Sequence, residues 1–545
     1  MDCTKLIQRY NKLKARRDGN WLAVWREVRK YVYPTYSDYR SEGGLRGAEL
    51  FDDTAILARG RLAAGIYNWM APPDKRWYEI EAADEELQKD GGVRDYFAEC
   101  SKLTARALAN SNWPTVLIQL LNEAAAGIDA ICYCEEAGTD TGHPVFYAWP
   151  AETVVYAENA KGEADTLFRE YKMTARQIVE EFGEAETPER IRNDARDMAR
   201  QDQEYQILHA IYPRTERDPD MLDGRNMPYA DVYIELDTKT VISEGGHHEK
   251  PFAVCRFEKA ENESCGRGPG LNKLPSIKML QRMRQVYITN SEFNADPSWL
   301  IPDGSLVDNK FDKSPGATNI YRPSMDGARP EPVFKGGDLV RLAADIEAER
   351  ENVKAGFFWD IFDPLGELKN ITATEAEIRN EGKIIPFAPI AGNLHTELFK
   401  PVIHRVFGIL SRAGKLPDVP RKLLENPEYK IEFVSKIALS IRKLESLGWL
   451  QTEASLANIA AVKPDIMDNF ELDDVARDIA LSNGAAPKWL VPEKERDAVR
   501  QQRAAEQQAM QQAAILAEGA KLAPDLSKAP EPGSPLSDIM EGNGI

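Results

Sequence analysis

Four groups of residues have the types that do chemistry, and their spacing limits what that chemistry could be. Gly266-Arg-Gly-Pro-Gly270 precedes a helical stretch in the manner of a phosphate cradle. It lacks Gly-Lys-Ser/Thr, fits no G-x-G-x-x-G template, and its proline removes an amide that an anion could use, so it reads as a structural turn. Asp52-Asp53 has the composition of a metal pair. Asp52-Asp53-Thr54 stands directly ahead of a helix, however, where these types satisfy free amides and complement the dipole. The six cysteines are Cys3, Cys100, Cys132, Cys134, Cys255 and Cys265. Cys132-Tyr-Cys134 is a C-x-C pair without the C-x-x-C redox spacing or a second pair for zinc, so reduced, small, half-buried side chains are expected. His247 and His248 are adjacent but outside any H-E-x-x-H pattern, and His143, His209, His395 and His404 lie in unrelated contexts. No G-x-S-x-G elbow occurs. The expectation is a protein with no catalytic residues, no metal site and no cofactor.

Bulk composition narrows the function classes. The 545 residues are 43% hydrophobic and 29% charged, enough apolar material for roughly two to four domains. No stretch approaches 18 consecutive apolar residues, and Met1 to Arg17 is polar and basic, so neither a membrane span nor a secretory leader is expected. A soluble protein made in the cytoplasm follows. The formal net charge is −19, the reverse of a conventional DNA-binding domain, whose affinity comes from neutralising phosphates with Lys and Arg. An acidic protein can let DNA pass without sticking; the same charge serves plain solubility equally well.

The elements that must position these residues form an α+β, mainly helical chain. Leu6, Tyr10, Leu13, Trp21, Val24, Trp25, Val28 and Val32 keep helical spacing up to Pro34, so one helix is predicted over about 1–33. Ala55 to Met70 is a second helix, ended by Pro72-Pro73, and helices fill 92–127 with a break at Ser111-Asn-Trp-Pro114. Period-two alternation then predicts strands over 130–136, 144–157, 165–172, 203–213, 228–236 and 252–258. Thr174 to Gln177 is a capping box for a helix that Gly183 closes, and 184–202 reads as a solvated charged helix. A helix starts near Pro275 and ends before Pro297, and another runs from Leu339 to about Phe358. The Pro- and Gly-rich stretch between them is too polar for its own core. Thr372-Ala-Thr-Glu375 is a further capping box, and Pro386 and Pro389 kink the helix that follows. Residues 435–516 read as helical, and the Pro, Ser and Gly content from about 520 predicts a disordered tail.

These segments together resemble the head-to-tail connector, or portal, family of short-tailed bacteriophages. Trp21-Leu-Ala-Val-Trp25 with Tyr33-Pro34 is similar to that family's opening helix, and Leu50-Phe-Asp-Asp-Thr-Ala55 through Pro72-Pro73 and Arg76-Trp77 to its next block. Arg169 to Gln177 with Phe182-Gly183, Gly266 to Gly270 with Leu274-Pro-Ser-Ile-Lys278, and Ile371-Thr-Ala-Thr-Glu-Ala376 resemble further blocks, in order, across roughly 1–415. The resemblance implies a closed ring of about twelve subunits at one capsid vertex, with wing, stem, clip and crown domains around a channel. Residues 1–265 would be wing, 266–296 the first stem helix, 297–337 the clip and 338–358 the second stem helix. A tunnel loop would follow at 359–371, a kinked wing helix at 372–434, the crown at 435–516 and the tail at 517–545.

The resemblance also implies partners. Double-stranded DNA would pass through the channel, with Lys369 and Asn370 of the tunnel loop as candidate contacts. The clip would dock the terminase large subunit and later tail adaptor and nozzle proteins, with Lys310, Lys313, Arg322 and Arg329 as candidate contacts. Major capsid and scaffolding proteins would surround a ring that resides in the virion, without membrane insertion. Two other classes fit less of the chain. A tail or minor capsid structural protein would not need the helix–clip–helix insertion. A nuclease would need clustered carboxylates or a nucleotide loop.

Overall fold

A computed structural model describes residues 3–34, 50–73, 75–138, 142–221, 223–301, 331–332, 338–362, 385–424, 428–440, 463–482 and 493–526, with scattered positions such as Arg322 between them. The chain forms two units. The first comprises Met1–Ile80, Glu99–Asp418 and Ile431–Gly484, and the second Glu81–Ala98, Val419–Lys430 and Ala485–Ile545.

The first 33 residues make two helices rather than the single one expected. α1 spans Cys3–Asn20 and α2 Leu22–Tyr31. Gly19 and Asn20 are weak helix formers, and Trp21 departs from helical dihedrals with φ −118°. The distortion keeps both indoles of Trp21 and Trp25 buried, with ring centroids 6.1 Å apart. α3 (Thr54–Met70) follows where it was predicted, and β1 (Tyr78–Ala82) comes after it. The short α4 (Glu85–Gln88) leads into α5 (Gly91–Asn110) and α6 (Trp113–Ala126), which Pro114 opens at a position where no amide is needed.

Two antiparallel sheets come next. β2 (Ala130–Ala137) lies between β3 (His143–Trp149) and β9 (Phe252–Cys255). The expected strand 144–157 is divided: Pro150 and a 3₁₀ turn at Ala151–Thr153 separate β3 from β4 (Val154–Glu158), and the chain changes sheet there. The second sheet has the order β4, β5 (Ala164–Thr174), β6 (Glu204–Pro213), β7 (Tyr229–Glu235) and β8 (Thr240–His247). β8 was not expected, because Gly245-Gly246 and its half-buried positions blur the alternation.

Because β6 alternates, Leu208 and Ala210 share a cluster with Phe168 of β5 and with Leu6 and Tyr10 of α1. Tyr205 and Ile207 face α7 (Ala175–Glu186) and α8 (Glu189–Arg196) through Ile178 and Ile191. The Thr174–Gln177 capping box is present in both directions, and Gly183 takes φ 80° inside α7. All six cysteines are free, and Cys100, Cys132, Cys134, Cys255 and Cys265 are buried rather than half-buried. Burial pushes the Cys134 thiol up to about 12.

The helices that follow are α9 (Pro269–Asn272), α10 (Leu274–Ala295), α11 (Leu339–Gly356), α12 (Ala388–Leu394) and α13 (Lys400–Arg412). Between α10 and α11, β10 (Trp299–Leu300) pairs antiparallel with β11 (Glu331–Pro332). A 3₁₀ turn at Ile385–Phe387 precedes α12 and a π-turn at His395–Phe399 follows it, while the helix expected ahead of Pro386 lies outside the described residues. The Thr372–Glu375 capping box lies outside the described residues. After α14 (Leu472–Ser482), α15 runs from Glu493 to Leu526. The tail expected to be disordered from 517 is therefore helical to 526, carried by Ala- and Leu-rich sequence with high helix propensity. In the second unit, α4 and the start of α5 meet the 419–430 segment through Lys422 and Asp90.

Candidate functional site

The feature that no single helix or sheet requires is the root of the α10–α11 pair. It begins where α6 ends. Gly127 takes the left-handed φ of +88° at the C-cap, and its N–H donates to the Ala124 carbonyl at 3.0 Å. The Gly266–Gly270 turn lies directly on this helix end. A Cβ on Gly270 would overlap the Ala126 carbonyl, and one on Gly268 would meet that of Ala124. The Gly266 amide is already used, donating to Asp129 Oδ1 at 2.7 Å. The turn therefore brings backbone against backbone, as a structural turn should, and Gly266 does not offer its amide to an anion.

Asp129 is buried, and burial raises its carboxyl to about 6 against the opposing pull of the Gly266 and Tyr156 hydrogen bonds. The Tyr156 hydroxyl stands 2.8 Å from both Asp129 Oδ2 and the Ser264 carbonyl. One hydroxyl proton cannot serve two acceptors at full strength. Below about pH 6 a protonated Asp129 can donate to Tyr156 and leave the Tyr156 proton to Ser264; above it the Tyr156 proton is shared between the two acceptors.

The second anchor is the Phe51–Thr54 segment. Asp53 occupies the N-cap position of α3 without a side-chain bond, and Asp52 makes the capping contact, accepting from the Thr54 amide at 3.0 Å. Asp52 does more than the sequence indicated. Its Oδ2 accepts from Arg350 Nε at 2.9 Å and Nη2 at 2.7 Å. Gln281 of α10 accepts from the Phe51 and Asp52 amides at 2.7 and 3.0 Å and donates to the Asp52 carbonyl at 2.6 Å. One short segment thus ties together α3, α10 and α11. Burial alone would raise Asp52, but the Thr54 and Arg350 bonds hold it below the ordinary carboxylate range.

At its C-terminal end α11 is held against α3. Arg61 stacks 4.0 Å over Trp359 and donates to the Phe362 carbonyl at 3.1 Å, and Phe358 takes φ +56°. Phe362 lies close over Gly65, where a Cβ would collide with its ring. A bulky residue in the left-handed region is strained and persists only where packing dictates it.

The predicted contact residues are not brought together. Arg322 is exposed, and Lys310, Lys313, Arg329, Lys369 and Asn370 lie outside the described residues. His143 and His404 are exposed, as expected of histidines in unrelated contexts. His395 stacks on Phe433 with centroids 3.7 Å apart, and burial lowers it to about 4.

His209 departs from that expectation, since it shares a carboxylate with His247. Both bond the Asp231 carboxylate, His247 Nε2 at 3.1 Å, while Arg405 Nη2 stands 3.3 Å from His247 Nδ1. Burial works to raise Asp231, but the two imidazoles overcome it and hold the carboxyl well below the ordinary range. His209 also stacks on Tyr233, with centroids 4.1 Å apart. The cluster ties β6, β7 and β8 to α13. The three residues are 16 to 38 positions apart in sequence, and only the strand register reveals their proximity. Among the described residues no group of three or more His, Cys, Asp or Glu could hold a metal ion.

With this geometry established, comparisons with known proteins agree in direction. The family model for the bacteriophage head to tail connecting protein matches residues 3–491. A protein of Bordetella phage BPP-1 named "Probable portal protein" is 28% identical over 531 residues, covering 96% of this chain and 94% of the relative. One of Salmonella phage epsilon15 named "Portal protein" is 24% identical over 534 residues, covering 95% and 94%.

Proposed function

Because the chain belongs to the bacteriophage head to tail connecting protein family, a structural component of the virion and not an enzyme, we propose that it is the portal of a short-tailed phage. The observation that carries this reading is the end-to-end match, over more than nine-tenths of both partners, to two phage proteins named as portals. The two-helix projection on its double anchor supports it. Between the two helices the chain passes through the β10–β11 ladder into a Pro- and Gly-rich polar stretch, a composition that gains most from neighbours in a closed assembly.

In this reading about twelve copies close around a channel at one capsid vertex, through which double-stranded DNA enters and later leaves. Residues 1–265 and 372–434 form the wing, 266–296 and 338–358 the stem, 297–337 the clip, 359–371 the tunnel loop and 435–516 the crown. The clip docks the terminase large subunit during packaging and tail adaptor and nozzle proteins afterwards, with Lys310, Lys313, Arg322 and Arg329 as contacts. Lys369 and Asn370 meet the DNA at the tunnel loop, while major capsid and scaffolding proteins hold the rim.

The charge suits passage. At −19 per chain, twelve copies carry roughly −230 formal charges, and an acidic lumen repels phosphates and keeps sliding friction low. Negative-stain microscopy of the purified full-length chain tests the reading. Class averages down the axis should give rings of about twelve subunits with an open centre. Persistent monomers at high concentration would overturn it.

A further inference from the structure

α1 is basic in an acidic chain. Its 18 residues carry six Lys and Arg against a single acid, Asp18, whereas the whole chain stands at −19. Four of the six form a row: Lys5, Arg9, Lys12 and Arg16 follow at intervals of four, three and four, and all are exposed. At 100° and 1.5 Å per residue they share an arc of about 60° and span about 16 Å. Leu6, Tyr10 and Arg17 are buried on another side of the helix. The two cations off the row have anionic partners. Lys14 pairs with Glu170, and Arg17 bonds Asp18 at 2.9 and 2.6 Å and the Val154 carbonyl at 3.0 Å. Among the described residues, Lys12 and Arg16 have no ion pair, and Arg9 bonds the Thr166 hydroxyl at 3.2 Å but no carboxylate.

A row of solvated cations is ordinary on a surface. This one, however, ends at a cleft, which opens where α1 gives way to α2 at the break at Trp21. Arg16 and Arg17 line it together with Leu13, Trp21, Val154 and Val155, and its volume is about 30 Å³. That is room for about two water-sized spheres, enough for a small aliphatic group and too little for a nucleobase. Asp18 already neutralises Arg17, so the open charge at the cleft is that of Arg16, which is also the last residue of the row.

Exposed cations that run into a small apolar cleft are complementary to a segment bearing acids and one small aliphatic side chain. We propose that α1 and this cleft dock a short acidic segment of another protein. Its carboxylates lie along Arg9, Lys12 and Arg16, and a valine-sized side chain enters the cleft beside Leu13. Duplex nucleic acid is the competing occupant of a basic row, and two observations count against it. A duplex would leave the cleft empty. It would also reach past the end of the row onto a chain of net charge −19, where its phosphates meet repulsion within a screening length of about 8 Å. Every group involved belongs to one chain, so the inference goes beyond the ring reading and does not depend on it.

Fluorescence anisotropy with the full-length chain tests this. The probe is a labelled oligoglutamate peptide with one central valine, compared with the same peptide carrying glycine there and with a labelled DNA duplex. The valine peptide should bind the parent chain. Lys12→Glu with Arg16→Glu should weaken that binding about tenfold or more, because like charges then face each other. Glycine in place of the valine should cost about fourfold or more, which is what one buried methylene contributes. Both substituted positions are exposed, so neither the melting temperature nor the oligomeric mass should move. A valine peptide that fails to bind the parent would overturn the proposal, as would equal affinity for parent and variant or equal affinity of the two peptides. A duplex that binds more tightly than the peptide and weakens in the variant would overturn it in favour of a nucleic-acid surface. A changed oligomeric mass in the variant would overturn it too, since a second copy would then cover the row.

Discussion

Asp129 is the residue whose protonation state most affects the root of the helix pair. Its folded carboxyl titrates near 6, above the ordinary carboxylate value, so between those limits the folded chain keeps a proton that the unfolded chain has released. The stability this provides is complete in acid, below the ordinary value, and is lost as pH rises through about 6. Asp129→Asn keeps an acceptor for the Gly266 amide and a donor for Tyr156 without a charge to bury. Relative to the parent, it should gain on the order of 1–3 kcal/mol between pH 5 and pH 8 in urea unfolding. Parallel pH profiles for the two proteins would count against a neutral Asp129. The strained Phe358 and the His209–Asp231–His247 cluster show the same principle at other positions: groups that are costly alone persist because the surrounding structure determines them.

At the scale of elements, the two anchors make separable predictions. Arg350→Met leaves the buried Asp52 carboxylate without its cation. Arg350 is 30% exposed, so the loss should fall below that of a fully buried pair, at about 1–3 kcal/mol. Because Asp52 is held below the ordinary carboxylate range, its contribution is present above that range and disappears as acid titrates it. The penalty of Arg350→Met should therefore shrink toward pH 3 in a denaturant titration, and a penalty independent of pH would show that packing, not charge, holds α11. Gly270→Ala acts on the other anchor. Its new methyl overlaps the Ala126 carbonyl, a backbone atom that cannot rotate away, so on the order of 2–3 kcal/mol should be lost. Gly60→Ala, with open space around its Cβ inside α3, should stabilise by roughly 0.5–1 kcal/mol and serves as the control in the same thermal melts.

For the whole molecule, assembly and stability should be linked by mass action. A ring of twelve 61.2 kDa chains has a mass of roughly 730 kDa, and its melting temperature should rise with protein concentration. Light scattering across a dilution series measures the mass, and calorimetry at the same concentrations measures the linkage. Melting that does not depend on concentration, at a mass of one chain, would count against a closed ring.

The sequence alone determined much of the local architecture. Capping at Thr174, proline at helix starts and glycine at turns act within a few residues, so α3, α6, α7, α10 and α11 were legible. The absence of any catalytic motif and the likeness to phage connectors were legible in the same way. Contacts between residues far apart in sequence required the tertiary structure. Asp52 reads as a helix cap until Arg350, 298 residues away, is placed beside it. His209, Asp231 and His247 converge only once antiparallel register sets β6, β7 and β8 side by side. The break at Trp21 and the division of residues 144–157 between two sheets were likewise decided by what the surrounding core could bury. Local spacing encodes hydrogen bonds and faces over a turn or two, whereas register, burial and ion pairing depend on which distant segments share the core.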